Sequence, residues 1–322
     1  MSVKIQWSVI CVLVLTTLTC LVTACTPERL EETELPPGEI SFPLEIIDQT
    51  GKTIRIKKEP EKIISLAPNI TEIVYALEGE EQLIAVTEFC DYPEAALDKP
   101  KIGGFYDVNI EKVVALKPDL VLAANFHEDK ITPELERLGI TALTIDPRTI
   151  DDILKAINLV GMVMGRKEAA TSVTAEMKNR IEAVTRKTEG LSTEQNMKVL
   201  YILWHDPLMT VSSTTRIHEM INKAGGINIA ANLEGDYPTI SLEAVLLANP
   251  QVIISSSGHG SDENISFQFA LTEQRLAKTE ARLEDRVYGI NADLTSRAGP
   301  RIVRGLEELA KLIHPELFKD EH

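Results

Sequence analysis

Histidine and cysteine are the residues of this 322-residue chain that could bind a metal or act as nucleophiles, and their spacing favours neither chemistry. The histidines are His127, His205, His218, His259, His314 and His322. They lie too far apart for two of them to share one element, as a protein metal site usually requires. His205 or His259 could ligate the metal centre of a bound ligand, although a loop histidine more often faces solvent. We therefore expect no metal held by the protein itself.

Hydrolytic catalysis is the second chemistry that the residues could support. Asp206 follows His205, and two serines come shortly afterwards, at 212 and 213, so the residue types of a catalytic triad are present. Adjacency in sequence does not establish triad geometry. The chain also lacks the G-x-S-x-G, H-E-x-x-H and P-loop motifs. We expect that the protein is not an enzyme.

Two glutamates occupy the same position in a segment that the chain carries twice. VNIEKVVALKPDLVL at 108–122 nearly recurs as ISLEAVLLANPQVII at 240–254. In each copy an Asn or Ser suited to cap a helix is followed by Glu111 or Glu243 in the first helical turn, and a proline ends the helix. From the residues alone, each glutamate is most simply a stabiliser of its helix end.

Aromatic residues make up 5% of the chain and concentrate where predicted strands give way to loops. These aromatics are Phe89, Tyr92, Phe105, Tyr106, Phe126, Trp204 and Tyr237. Core aromatics would lie within strands and helices, whereas loops at the carboxyl ends of parallel strands line ligand clefts. Flat, mostly apolar side chains there suit a large planar ring. The same predicted loops contain Pro68, Asn69, Cys90, Asp91, His259 and Arg297.

Nearly the whole chain after residue 43 resembles one protein family. The segments that carry the resemblance are IISLAPNITEIVYAL, TEFCDYP, KIGGFYDVNIEKVVALKPDLVLA, DPLMTVSSTTRIHEMINKAGGINIA, YPTISLEAVLLANP and SRAGPRIVRGLEELAKLIHPELF. They resemble the helical-backbone class of substrate-binding proteins of ATP-driven (ABC) importers, which serve cobalamin, ferric siderophores and haem. CDYP and GGF most resemble the cobalamin-binding branch.

The resemblance implies a ligand and a partner. It implies that Glu111 and Glu243 dock onto arginines of a permease dimer, which works with ATPase subunits. It also implies a corrinoid, meaning cobalamin or a related compound, bound near Phe89, Phe105, Tyr237 and Arg297. Phe105 stands where the family pattern leads us to expect tryptophan, which admits a smaller corrinoid. Ferric siderophore or haem is the alternative ligand, although one arginine is few for an anionic catecholate.

Alternating strands and helices must position these residues. The alternation predicts an α/β fold with a mainly parallel sheet flanked by helices, and the second half replays the element order of the first. We predict two similar lobes, 44–165 and 191–322. Between them, 166–190 has no proline and no internal glycine, and its apolar residues recur at helical spacing, which predicts one long rigid helix of about 36 Å.

The N-terminus carries the pattern of an export signal. Lys4, an apolar run and Val22-Thr23-Ala24-Cys25 predict a lipoprotein leader over 1–24, with a lipid attached to Cys25. An uncleaved transmembrane anchor is the alternative, but it usually needs about twenty apolar residues. Residues 25–43 are acidic and contain prolines, as expected of a flexible linker. We expect an extracytoplasmic protein held at a membrane by its lipid.

Composition narrows the partners further. The formal net charge of −16 argues against nucleic acid, because phosphate binding requires basic surface. Of the four cysteines, only Cys90 lies beyond the leader and the lipidation site, so no internal disulfide is expected. We expect a monomer without a cofactor, whose ligand is the transported molecule.

Overall fold

A computed structural model describes residues 40–192, 194–258 and 264–319. The predicted leader, Cys25, nearly all of the predicted linker and His259 lie outside these ranges. The described chain begins with an antiparallel hairpin of β1 (Leu44–Ile47) and β2 (Thr53–Ile56), in which Leu44 pairs with Ile56. Asp48 Oδ1 accepts hydrogen bonds from the backbone amides of Thr50 and Lys52, both at 2.9 Å, which fixes the turn between the two strands.

The first lobe is built on a four-stranded parallel sheet in the order β4-β3-β5-β6. Its strands are β3 (Ile63–Ser65), β4 (Leu83–Val86), β5 (Leu120–Ala124) and β6 (Ala142–Ile145). Its helices are α1 (Pro68–Ala76), α2 (Ile110–Leu116), α3 (Ile131–Arg137) and α4 (Ile150–Val163). Every residue of β5 and β6 is buried, because helices cover both faces of the sheet.

A single helix follows the first lobe. α5 (Lys167–Thr188) has 22 residues, so its axis is about 33 Å long. Its buried residues include Ala170, Met177 and Val184, which recur at helical spacing along one side. That side packs first against α4 and further along against helices of the second lobe.

The second lobe repeats the strand order of the first, as β10-β7-β11-β12, again parallel. Its strands are β7 (Met197–Ile202), β8 (Trp204–His205), β9 (Leu208–Met209), β10 (Gly226–Asn228), β11 (Val252–Ser257) and β12 (Val287–Asn291). Its helices are α6 (Arg216–Lys223), α7 (Leu242–Ala248), α8 (Ile265–Thr272), α9 (Glu280–Leu283), α10 (Ala292–Ser296) and α11 (Ile302–Ile313). Strands β8 and β9 form a small antiparallel hairpin outside the main sheet. The predicted α/β fold with two similar lobes is confirmed.

Helix length bears on how the protein could meet a membrane. Among the helices of the described ranges, none is both long enough and apolar enough to cross a bilayer.

Candidate functional site

The cleft between the lobes lies where the carboxyl ends of both sheets face each other. A cavity of about 430 Å³ opens there, and both lobes line it. The first lobe contributes Asn125 and residues 146–148, and the second contributes residues 214–217, 236–237 and 295–296. Cleft walls made from two lobes are the usual place for a ligand in such folds.

The first turn of α6 ties the second lobe to the first at one side of this cavity. Arg216 donates from Nη1 to the carbonyl of Pro147 at 2.9 Å and from Nη2 to the carbonyl of Ser296 at 2.7 Å. Glu219 accepts a 2.9 Å hydrogen bond from the backbone amide of Ile150, at the start of α4. Burial lowers the pKa of Arg216, although its guanidinium stays charged because it starts from a very high value.

Ion pairs between the lobes form a second connection. Glu72 of α1, whose side chain is only 2% exposed, receives two bonds from Arg301, Nε to Oε2 at 2.9 Å and Nη2 to Oε1 at 2.6 Å. Arg297 lies 3.3 Å from the same carboxylate. A carboxylate buried to this extent requires such partners, because its desolvation is costly.

Arg297 is shared further with two other carboxylates. It reaches Asp91 of the first lobe with Nη1 to Oδ1 at 2.6 Å, and Asp293 of α10 lies 3.0 Å from its Nε. Burial alone would lower the pKa of Arg297, but the hydrogen bond to Asp91 and the charge of Asp293 raise it. Burial works against ionisation of Asp91 too, yet Arg297 lowers the pKa of Asp91. We call Glu72, Asp91, Asp293, Arg297 and Arg301 the inter-lobe ion cluster.

An aromatic cluster stands beside the cavity on the first lobe. The ring centroids of Phe105 and Phe126 are 4.1 Å apart, and Tyr106 lies 4.9 Å from Phe105. Phe126 follows Asn125, which lines the cavity. The sequence predicted aromatic loops here, and the structure brings two of those loops together.

His127 holds the backbone next to this aromatic cluster in place through two hydrogen bonds. Its Nδ1 accepts the backbone N–H of Ala124 at 3.1 Å, so Nε2 carries the proton and donates to the carbonyl of Phe105 at 2.9 Å. Burial lowers the pKa of His127 despite these backbone hydrogen bonds, so the imidazole stays neutral. The sequence signal for this role was a histidine three residues after the end of a buried strand, and the role was not predicted.

Five of the predicted cleft aromatics keep much of their surface exposed. The exposed fractions are 39% for Tyr92, 42% for Trp204, 53% for Tyr237, 59% for Phe89 and 77% for Tyr106. Tyr237 also lines the cavity. Large apolar side chains exposed at one set of loops are typical of a surface that meets a ligand.

The remaining predicted residues of the first lobe divide into two groups. Pro68 begins α1, and Asn69 donates across the cleft to the carbonyl of Ala298 at 3.3 Å. Cys90, by contrast, is fully buried, and the hydroxyls of Thr71 and Thr87 lie 3.2 and 3.1 Å from its sulfur. Packing in the first lobe therefore encloses the Cys90 side chain, and its predicted place at the ligand stays a prediction.

Trp204 and His205 lie on the β8–β9 hairpin of the second lobe. The Trp204 indole donates to the carbonyl of Asp206 at 2.8 Å, and its ring lies 4.8 Å from that of His205. Met209 of β9 also forms an antiparallel bridge with Thr239, which lies two residues after Tyr237. Within the described ranges, no group of three His, Cys, Asp or Glu side chains is arranged to hold a metal ion.

Arg216, Glu72, Asp293 and Arg301 were not predicted from the sequence. Glu72 left a weak signal, since it is the one charged residue in the apolar stretch of α1. The arginines follow turn or helix-end patterns that many surface residues share, and their partners lie more than 60 positions away in sequence. Only the folded arrangement shows that they join the lobes.

Helices α2 and α7 present the two repeated glutamates in the same way. Asn109 caps α2 by accepting from the Lys112 amide at 2.9 Å, and Ser241 caps α7 by accepting from the Ala244 amide at 3.1 Å. Each helix has seven residues and ends in a left-handed residue, with φ of 50° at one and 48° at the other. Glu111 and Glu243 are exposed in the first turns. The repetition in sequence is thus a repetition in local structure.

Comparisons with known proteins agree with this architecture. A family model described as periplasmic binding protein matches residues 63–294. The chain is 33% identical over 287 residues to the uncharacterized ABC transporter substrate-binding lipoprotein YvrC of Bacillus subtilis, covering 87% of this chain and 88% of that protein. It is 30% identical over 250 residues to the vitamin B12-binding protein of Vibrio cholerae, covering 77% and 87%.

A solved structure extends the similarity to three dimensions. The structure of the periplasmic vitamin B12 binding protein BtuF of Vibrio cholerae superposes with a TM-score of 0.68 at 28% identity. The superposition covers 82% of this chain and 99% of BtuF. These relatives are transport proteins rather than enzymes, and substrate-binding proteins of importers bind a ligand outside the cytoplasm and work with a permease and an ATPase. The resemblance found in the sequence is therefore confirmed, and the chain belongs to the periplasmic binding protein family as a substrate-binding protein of an ABC transporter.

Proposed function

We propose that this protein captures a corrinoid in the cleft between its lobes and delivers it to an importer. The observation that carries the proposal is the set of exposed aromatic side chains at the cleft loops, with Tyr237 on the cavity wall and Tyr106 next to the paired rings of Phe105 and Phe126. Flat apolar faces can cover a planar macrocycle, and polar groups around the cavity can meet its amide side chains. Relatives that bind vitamin B12 support the same choice.

Ferric siderophore or haem remains the alternative ligand, and the charges at the cleft argue against the more anionic of these compounds. Arg297 and Arg301 bind the carboxylates of the ion cluster, and Arg148 pairs with Asp146 at 2.9 Å. Arg216 gives both of its terminal nitrogens to backbone carbonyls. An anionic catecholate would have to share these arginines with the carboxylates and carbonyls that they already contact, whereas a neutral or cationic corrinoid would not.

Ligand identity can be tested with the protein's own fluorescence. Trp7 falls in the predicted leader, so Trp204 is the one tryptophan beyond it. We expect saturable quenching, confirmed by calorimetry, with cobalamin or cobinamide and a dissociation constant below about 1 μM, a binding free energy beyond about −8 kcal/mol. A ferric hydroxamate siderophore and haem are the comparison ligands. Saturable binding of one of those alone would overturn the corrinoid proposal.

A matched pair of variants tests the aromatic contact. Tyr106→Ala removes a ring from the cleft loop, and we expect corrinoid affinity to fall about tenfold. Leu138→Ala removes another exposed apolar side chain, 53% exposed, which follows α3 and precedes the amino end of β6, and it should leave affinity unchanged. Equal effects of the two substitutions would count against an aromatic ligand contact.

We further propose that Glu111 and Glu243 dock onto basic residues of the permease, and that a lipid on Cys25 keeps the protein at the membrane. Charge reversal at both glutamates should abolish transport and leave ligand affinity intact. Glu168→Arg is the control, because Glu168 is also an exposed glutamate in the first turn of a helix. Loss of ligand affinity in the double variant would contradict this separation of roles. Mass spectrometry of the membrane-bound protein tests the lipid on Cys25.

A further inference from the structure

The loop that carries Tyr92 is held from the opposite lobe at two successive residues. Asp91 accepts from Arg297, Nη1 to Oδ1 at 2.6 Å and Nη2 to Oδ2 at 3.2 Å. The guanidinium carbon of Arg301 lies 3.8 Å from the centroid of the Tyr92 ring. Both arginines belong to the second lobe, and the loop belongs to the first. The loop is therefore attached across the cleft.

Glu72 determines where the Arg301 guanidinium lies. The two carboxylate oxygens of Glu72 accept hydrogen bonds from Nε and Nη2, which lie along one edge of the guanidinium. This is the planar, two-bond geometry that arginine forms with a carboxylate. Because the edge is occupied by Glu72, the flat face of Arg301 is free to stack on Tyr92. A lysine at 301 could provide a charge but neither the two parallel bonds nor the flat face.

Arg301 supports one side of Tyr92 and leaves the remainder of the ring open. Tyr92 is 39% exposed, while the side chains of Arg301 and Arg297 are each 13% exposed. A cation that is largely buried between a carboxylate and a ring contributes more than an exposed one, because water competes less for it. The exposed part of Tyr92 is thus backed by side chains that are themselves largely buried.

We propose that Glu72 and Arg301 are positioning residues for ligand capture, which act by holding Tyr92 and its loop in place as part of the ligand-binding wall. This inference rests on the proposed function, since it assigns these residues a role in affinity without direct contact with the ligand. Arg297 has the same role toward Asp91. The ion cluster also contains three carboxylates and two guanidinium groups, so it offers no unshared cation to an anionic ligand.

The test combines loop exchange with ligand affinity. Arg301→Lys should speed hydrogen exchange in the peptide spanning residues 88–93 by about tenfold or more, and weaken corrinoid binding about tenfold, which corresponds to about 1.4 kcal/mol. Tyr92→Ala should weaken binding by a similar factor. Because Arg301 acts through Tyr92, the double variant should bind no more weakly than Tyr92→Ala alone.

Arg180→Lys is the matched control. Arg180 forms a two-bond pair with Glu307, both bonds at 2.8 Å, between α5 and α11 and outside the cleft. Arg180→Lys should lower the unfolding temperature while leaving hydrogen exchange in residues 88–93 and ligand affinity unchanged. Should Arg301→Lys fail to fold, loop exchange and ligand affinity can be measured in Asp91→Asn instead. The Asp91 side chain is 52% exposed, so this substitution leaves no deeply buried carboxylate unpaired.

Each remaining outcome decides the proposal. If the Arg301 and Tyr92 losses add in the double variant, or if Arg301→Lys changes neither exchange nor affinity, the positioning role is refuted. If the wild-type protein binds haem or a siderophore instead of a corrinoid, the proposed ligand is wrong, and the same cycle is measured with the ligand that binds. If no probe binds, the proposed function fails. Faster loop exchange in Arg301→Lys but not in Arg180→Lys would then still support the positioning of Tyr92.

Discussion

Acidification should loosen the aromatic cluster, because His127 must stay neutral to hold it. Its Nδ1 accepts the Ala124 amide proton, and protonation would replace that acceptor with a second N–H donor facing the first. The side chain is 1% exposed, and burial lowers the pKa of the imidazole. The folded protein therefore resists a proton that the unfolded chain accepts.

The sign and size of the effect follow from linkage. The pKa of His127 is lower in the folded than in the unfolded state, where it is about 6.5, so the stabilising contribution is complete above pH 6.5. It is lost as the pH falls from there toward the folded pKa. If the folded imidazole took up no proton at all by pH 5.5, the free energy of unfolding would fall by about 1.4 kcal/mol between pH 7.5 and 5.5, which is the upper limit for one histidine.

Urea unfolding followed by circular dichroism at pH 7.5, 6.5 and 5.5 measures this loss. His127→Gln keeps an amide that can donate to the Phe105 carbonyl, and it should remove up to that amount of pH dependence. His314→Gln is the control, because it removes a buried imidazole whose two nitrogens face oxygen atoms of Glu316 and Gly225. Parallel pH profiles of the wild type and His127→Gln would refute the assigned role of His127.

Three further expectations concern packing around the site. Tyr201→Phe should lower the unfolding free energy by about 1 kcal/mol, because it removes a buried hydroxyl that hydrogen-bonds Thr295 at 2.9 Å. Burial raises the pKa of that hydroxyl to about 12, so it stays protonated in the native protein. A cost above about 3 kcal/mol in urea unfolding would show that the tyrosine has a further structural role. Gly305→Ala should destabilise by about 1–3 kcal/mol, because a Cβ there would overlap the backbone of α10, whereas Gly190→Ala, with open space around it, should stay within about 0.5 kcal/mol by the same measurement. In a form beginning at residue 26, the Cys90 thiol should react with an aromatic disulfide reagent only after unfolding, and rapid reaction of the native protein would contradict its burial.

Much of the fold could be predicted from the sequence because hydrophobic periodicity and helix caps are local signals. Alternation of buried strands with helices predicted parallel sheets, and the repeated segment predicted two helices that each begin at a capping Asn or Ser and end before a proline. These features depend on neighbours within a few positions, which a sequence displays directly.

The cleft was predicted less completely because its interactions join distant positions. The sequence placed aromatics in loops, and five of them are exposed. It placed Cys90 in the same loops, but the Cys90 side chain is buried, because a loop residue can still point into the core. The Glu72 carboxylate and the Arg301 guanidinium are 229 positions apart, and no pattern near either residue reveals the other. The boundaries drawn for the two lobes and the roles given to individual cleft residues remain predictions.

The arrangement of charge suggests how one chain separates capture from delivery. At the cleft, carboxylates and guanidinium groups are paired across the lobes, so their charges are largely satisfied within the protein. On α2 and α7, Glu111 and Glu243 are exposed, and within the described ranges neither forms an ion pair. A basic partner would therefore find one exposed carboxylate on each lobe, in the first turn of α2 and of α7. Because ligand and partner would use different charges, substitution of the helix glutamates should alter delivery, and substitution of the ion cluster should alter capture.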